Sequence, residues 1–133
     1  MFLYYLNETE GKAFMELACL TIKKTNDRDW DKAEIDTYLT ELNLTGFSPV
    51  GLAFEQAISA FKYSSVSVKR TVLIELCGLI CSSKGLDDSG QKWIFSVAEE
   101  LKVRQAEAQR LIQWSKDFSD FLEVGLMYIN AKA

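Results

Sequence analysis

Apolar residues recur at three- and four-residue spacing along most of this chain, and no window alternates with period two and β-branched enrichment. The densest stretch is Val72 to Cys81, VLIELCGLIC, in which eight of ten residues are apolar. A surface helix carries only a stripe of apolar side chains, so a helix this greasy belongs in the interior. Thr71, Glu75, Gly78 and Ser82 follow an i, i+4, i+7, i+11 spacing and form one narrow seam where a neighbour or solvent can approach. The pattern predicts a helix from about Ser67 to Ser83, closed by Lys84-Gly85 as a C-terminal cap.

The flanking elements follow the same logic. Asn7 with Glu10 makes a capping box for a first helix that runs to about Lys24, with Phe14, Leu17, Leu20 and Thr21 on one side and Lys12, Glu16 and Lys23 on the other. After the polar turn TNDRD, Asp31 and Glu34 form a second capping box, Trp30 can staple to Ile35, and the helix offers Ile35, Tyr38, Leu39 and Leu42 before ending near Asn43. Ser48-Pro49 predicts a third helix that continues to about Tyr63. Asp87, Asp88 and Ser89 can each cap a fifth, which buries Trp93 or Ile94, Val97, Ala98 and Leu101. The pattern then runs from Ala106 to Ile129, with Asp117 and Ser119 predicting a break at 117–120. Phe2 to Leu6 reads as an arm packed on the body. The expected fold is all-α, one domain of six to seven helices.

Composition narrows the function more than the fold. A chain of 133 residues with 48% hydrophobic and 26% charged residues suits one ordinary soluble domain, and a single proline with seven glycines argues against a turn-rich sandwich. The net charge of -4 is concentrated at the front, where residues 1–49 hold nine acids and five bases, so nucleic acid is not an expected partner. With no histidine, Ser-His-Asp and Cys-His chemistry are excluded. Cys19, Cys77 and Cys81 lie inside apolar helical runs, and the i, i+4 pair Cys77 and Cys81 is badly placed for a disulfide, so buried reduced thiols in a cytoplasmic protein are expected. MFLYYLN lacks a basic leader and a cleavage site, and no run reaches the ~18 apolar residues of a membrane span.

Shifted by 59 residues, the chain aligns with itself: Glu16, Leu17, Leu20, Asp29, Ile35, Glu41 and Leu42 fall on Glu75, Leu76, Leu79, Asp88, Ile94, Glu100 and Leu101. These are seven identities in the 29 positions from 16 to 44, and they preserve the order of apolar helix, acidic turn, shorter helix, then an aliphatic residue (Leu44, Val103). Pseudo-repeats over about 12–44 and 71–103, with C-terminal helices over 104–131, would pack their apolar helices together about a pseudo-twofold axis. In this arrangement the chain resembles the TerB-like family, named for a tellurite-resistance protein and found also as the N-terminal part of membrane-anchored DnaJ-type co-chaperones. The resemblance covers most of residues 12–130 and implies an all-helical domain of about seven helices, a stress-related role, and in some members metal bound by turn acids. Asp27 matches the turn acid and Glu34 the helix acid of the first copy, with Arg28 in place of a glycine; in the second copy Gly85 is present, but Lys84 and Gln91 stand where acids are expected.

Asp27, Asp29 and Asp31 have the D-x-D-x-D opening of a calcium loop, yet Lys32 and Tyr38 occupy the places that need glycine and a bidentate glutamate. Asp27, Asp31 and Glu34 remain candidates for an open divalent-metal site; otherwise no cofactor is expected. Glu16 and Glu75 occupy equivalent places, and a close carboxylate pair can do acid-base work, but no nucleophile, phosphate loop or cofactor motif accompanies them. Both are expected to face outward along the polar seams of their helices. Trp93, Trp114, Phe118, Phe121 and Tyr128 recur at helical spacing, which core packing explains for most; Trp114 and the arm residues Phe2 and Tyr4 are the candidates for an exposed partner surface. The expected function is a non-catalytic interaction module with an unidentified protein partner, a homodimer being left open, with metal binding at the acidic turn as the alternative.

Overall fold

A computed structural model describes residues 1–132 as six α-helices and a short 3-10 turn at Leu3–Tyr5, with no strand among the described residues. The helices are α1 (Glu8–Asn26), α2 (Lys32–Glu41), α3 (Phe54–Ser59), α4 (Val66–Ser83), α5 (Asp88–Glu100) and α6 (Gln105–Asn130). The all-helical expectation holds. α4 lies at the centre, with α1, α5, α6 and the N-terminal turn all packed on it. Val72, Leu73, Leu76, Cys77, Leu79 and Ile80 of α4 are buried, and α1 meets them with Phe14, Met15, Leu17, Ala18 and Ile22. Each such aliphatic or aromatic side chain stabilises the fold by about 1.5–3 kcal/mol relative to leaving it in water.

Local capping sets most boundaries. The Glu10 N-H donates to Asn7 Oδ1 at 2.8 Å and the Asn7 N-H to Glu10 Oε1 at 3.0 Å, so the predicted box is formed. Ser65 caps α4 and Asp87 caps α5 through their side-chain oxygens. α2 and α5 end alike: Asn43 (φ 57) and Lys102 (φ 63) turn left-handed, and the N-H groups of Leu44 and Val103 reach back to the carbonyls of Leu39 and Ala98 at 2.8 and 2.9 Å. That bond buries Leu44 and Val103 under their helix ends.

Two elements differ from the sequence pattern. The third helix does not begin at Ser48-Pro49: residues 48–53 are not helical, and α3 holds only six residues. Glu16, 2% exposed, draws the N-H groups of Val50, Gly51 and Leu52 onto its carboxylate at 2.8–3.0 Å, and those donors are then lost to a helix. Gly51 makes the bend at φ 82, a conformation that a side chain would oppose. At the other end of the chain, α6 is continuous through the expected break at 117–120. Asp117 does not cap anything; its Oδ1 accepts from Gln113 Nε2 one turn earlier at 2.9 Å, and no proline or glycine interrupts the helix there. The seventh helix is therefore absent from the described residues, and the C-terminal region is one rod.

Candidate functional site

α6 runs beside α4 in the same direction at a nearly constant register. Arg70 pairs with Glu107 (107 − 70 = 37), the Cys77 thiol meets the Ser115 hydroxyl (115 − 77 = 38), and the Cys81 thiol meets that of Ser119 (119 − 81 = 38). The last residue of α4, Ser83, is accordingly level with Phe121 (83 + 38 = 121). Leu122 to Asn130 then overshoot α4 by about 13 Å at 1.5 Å per residue. Ser115 is the last buried residue of α6. Beyond it Phe121 (77%), Tyr128 (80%) and Ile129 (78%) are largely exposed, together with Leu122, Val124, Leu126 and Met127.

This surface continues onto the body. Trp114 is 43% exposed and stacks on Phe118 with centroids 5.3 Å apart and planes 9° from parallel. The Phe2 ring lies 6.2 Å from Trp114, which brings two of the candidate surface residues named from the sequence together. Between α4 and α6 they border a groove of about 290 Å³, with Ile74, Gly78 and Leu122 also in its lining. Tyr4 is exposed and stacks on Tyr5 at 4.6 Å, whereas Leu3 is fully buried and anchors the arm. Trp93 turns inward, donating its Nε1-H to Thr21 Oγ1 at 2.8 Å and packing on Phe54. The expectation that core packing accounts for Phe121 and Tyr128 does not hold; it fails because the helix outruns its neighbours.

The two carboxylates expected to face outward are buried. Glu16 takes the three loop amides already described, and Glu75 accepts the Phe2 N-H at 2.7 Å, with the amino nitrogen of Met1 3.3 Å away. Both oxygens of Glu16 and one of Glu75 thus serve to fasten an extended segment across a helix. A carboxylate engaged by N-H donors from a distant segment anchors that segment to its helix.

The acidic turn is likewise spent on local structure. Asp27 adopts the left-handed conformation (φ 50) that ends α1. Asp31 Oδ1 accepts the Ala33 N-H at 2.7 Å, while Glu34 turns away from the expected capping box, accepting the Trp30 Nε1-H at 2.9 Å and lying 3.5 Å from Arg28. Among the described residues no group of three Cys, Asp or Glu side chains is arranged to hold a metal ion. Arg28 lies in this turn beside Glu34, and the side chains of Asp31 and Glu34 accept from different donors.

The cysteines are free thiols. Burial pushes the Cys77 thiol up to about 12 against a smaller opposing effect of the Ser115 hydrogen bond, and burial raises Cys19 to about 11. Neither carries the thiolate character that nucleophilic chemistry needs. No helix among the described residues is long and apolar enough to cross a membrane. Comparisons with protein-family models, with curated proteins and with solved structures gave no match.

Proposed function

We propose that this chain is a TerB-like helical module that acts without catalysis, by protein contact through the surface that runs from Phe2 and Trp114 along the outer half of α6. The observation that carries this reading is the run of exposed apolar side chains from Phe121 to Ile129 on a well-formed helix. Contiguous apolar patches beyond a few hundred Å² are uncommon on monomers and mark contact sites. The TerB-like reading rests on the order of elements, on the like helix ends at Asn43 and Lys102, and on Glu16 and Glu75 as matching anchors, each pair 59 residues apart. A photoreactive residue placed at position 121 tests the contact reading in cells. Crosslinks to a discrete protein species, lost when the probe is moved to buried position 112, are expected. Absence of any protein crosslink from 121 would remove the reading.

A further inference from the structure

We infer that the occupant of the outer α6 surface is a second copy of this chain, bound as an antiparallel helix pair centred on Phe121; this rests on the contact reading above and names its partner. Trp114, Phe118, Phe121, Gly125 and Tyr128 are spaced 4, 3, 4 and 3 residues apart, the heptad interval that keeps one seam facing a neighbouring helix. The ends of the seam are self-complementary about Phe121. Seven residues to either side stand Trp114 and Tyr128; between them Phe118 lies three residues before the centre, and Val124 and Gly125 lie three and four after it, with nothing within 4 Å of a Cβ at Gly125 in its own chain. Reversing a second copy therefore sets Trp114 level with the partner's Tyr128, Phe118 level with the partner's Val124 and one residue from the partner's Gly125, and Phe121 level with its own image. Such mutual contact is what a twofold interface requires.

Charge points the same way. A single antiparallel pair covers the seam side chains Trp114, Phe121 and Tyr128 with half-buried Phe118 and not the whole circumference of the helix, so its contact is smaller than the ~800 Å² per partner of a standard interface and a weak, concentration-dependent pair is expected. Because α6 overshoots α4, the free tail of one copy lies level with residues 112–120 of the other copy's α6. A lipid surface is the less suitable occupant. Between Gln113 and Asn130 the helix bears Asp117, Asp120 and Glu123 against the single base Lys116, whereas helices that lie on membranes are rich in lysine and arginine.

Sedimentation of the full chain up to roughly 200 µM, a concentration that populates even weak pairs, tests the inference. A concentration-dependent dimer is expected for the wild type, and Phe121→Asp should weaken it by at least about 30-fold, as loss of a central anchor does. Far-UV circular dichroism and the urea midpoint of the Phe121→Asp monomer should match those of the wild-type monomer, since residue 121 touches no core. As an independent check, Phe121→Cys should give a dimer with a short bismaleimide, because only a residue on the dyad meets itself, while Ser96→Cys, on the exposed face of α5, should not. A wild type that remains monomeric, or a dimer unaffected by Phe121→Asp, overturns the inference. A monomer that still crosslinks to a different protein from position 121 leaves the contact reading standing while this inference fails. Co-flotation of a monomer with lipid vesicles, without any protein crosslink, overturns both.

Discussion

The chain contains two segments that are nearly alike in composition and opposite in fate. Val72 to Cys81 in α4 and Phe121 to Ile129 in α6 are each an apolar helical run broken by one glutamate and one glycine: Glu75 and Gly78 in the first, Glu123 and Gly125 in the second. Six side chains of the first are fully buried, whereas none in the second is. Hydrophobicity alone does not make a core, because burial needs neighbours of matching length. α4 has helices on several sides and the arm on its remaining seam, while α6 borrows α4 as its neighbour only as far as Phe121.

The largest difference should appear in a matched pair of truncations. Leu76→Ala empties space in a packed interior and should cost about 2–5 kcal/mol of unfolding free energy, while Leu126→Ala in the wet half should stay within about 0.5 kcal/mol for the monomer. Urea denaturation of dilute protein measures both. Equal losses at the two positions would show that the outer half of α6 is packed in solution and would break the comparison.

The two glutamates come next. Glu75 is buried and receives the Phe2 N-H, so Glu75→Ala strands that donor and releases the arm; a cost of about 1–3 kcal/mol is expected, with faster proteolysis of residues 1–6. Glu123→Ala lies on an exposed turn and should leave both readouts unchanged. The same reasoning applies to Glu16, whose replacement by alanine should free residues 50–52 to exchange amide hydrogens quickly.

What the sequence revealed, and what it hid, follows from the range of the interactions. The starts of α1, α2 and α5 were readable because a cap is local: Asn7, Asp31 or Asp87 acts on an N-H within three residues, whereas α4, expected from about Ser67, is capped by Ser65, which the pattern did not single out. α3 was not, since its expected first turn is held by Glu16 from 34 to 36 residues away. The spacing of Trp114, Phe118, Phe121 and Tyr128 was visible, but periodicity records only that a face is apolar. Whether that face meets the core depended on the relative lengths of α4 and α6, and on the absence of the break expected at Asp117 and Ser119. Asp27, Asp31 and Glu34 read as ligand candidates for a related reason: acids that end one helix and start the next serve backbone geometry and also resemble ligands in a one-dimensional pattern.

The thiol at Cys77 provides a smaller contrast. Its thiol is held at about 12 by burial, while an unfolded cysteine ionises near pH 8.5. Between those values the unfolded chain has released a proton that the folded chain retains, so stability is fully present below about pH 8.5 and is lost as pH rises toward the folded value. Thermal midpoints should fall above pH 9, less steeply in Cys77→Ala than in the wild type; Cys19, raised to about 11, keeps part of the slope in both. A cysteine introduced as Leu126→Cys should ionise and react with maleimide as in a peptide, while native Cys77 reacts only on unfolding. Rapid labelling of native Cys77 would contradict the dry interior of α4.

The glycines give the smallest effect and the sharpest discrimination. Gly78 and Gly125 both lie in helices, and a Cβ at either meets nothing within 4 Å. Alanine at each should therefore stabilise the monomer by a similar amount, about 0.4–1 kcal/mol, by narrowing the unfolded ensemble and favouring the helix. The pair diverges only when chains associate, because a side chain at position 125 crowds the Phe118 ring of an antiparallel copy, which would lie one residue away. Gly125→Ala should weaken self-association while Gly78→Ala leaves it intact, a reversal of sign at one position that neither helix propensity nor monomer packing supplies. Equal effects of the two alanines on the dimer would place the contact somewhere other than the seam through Gly125.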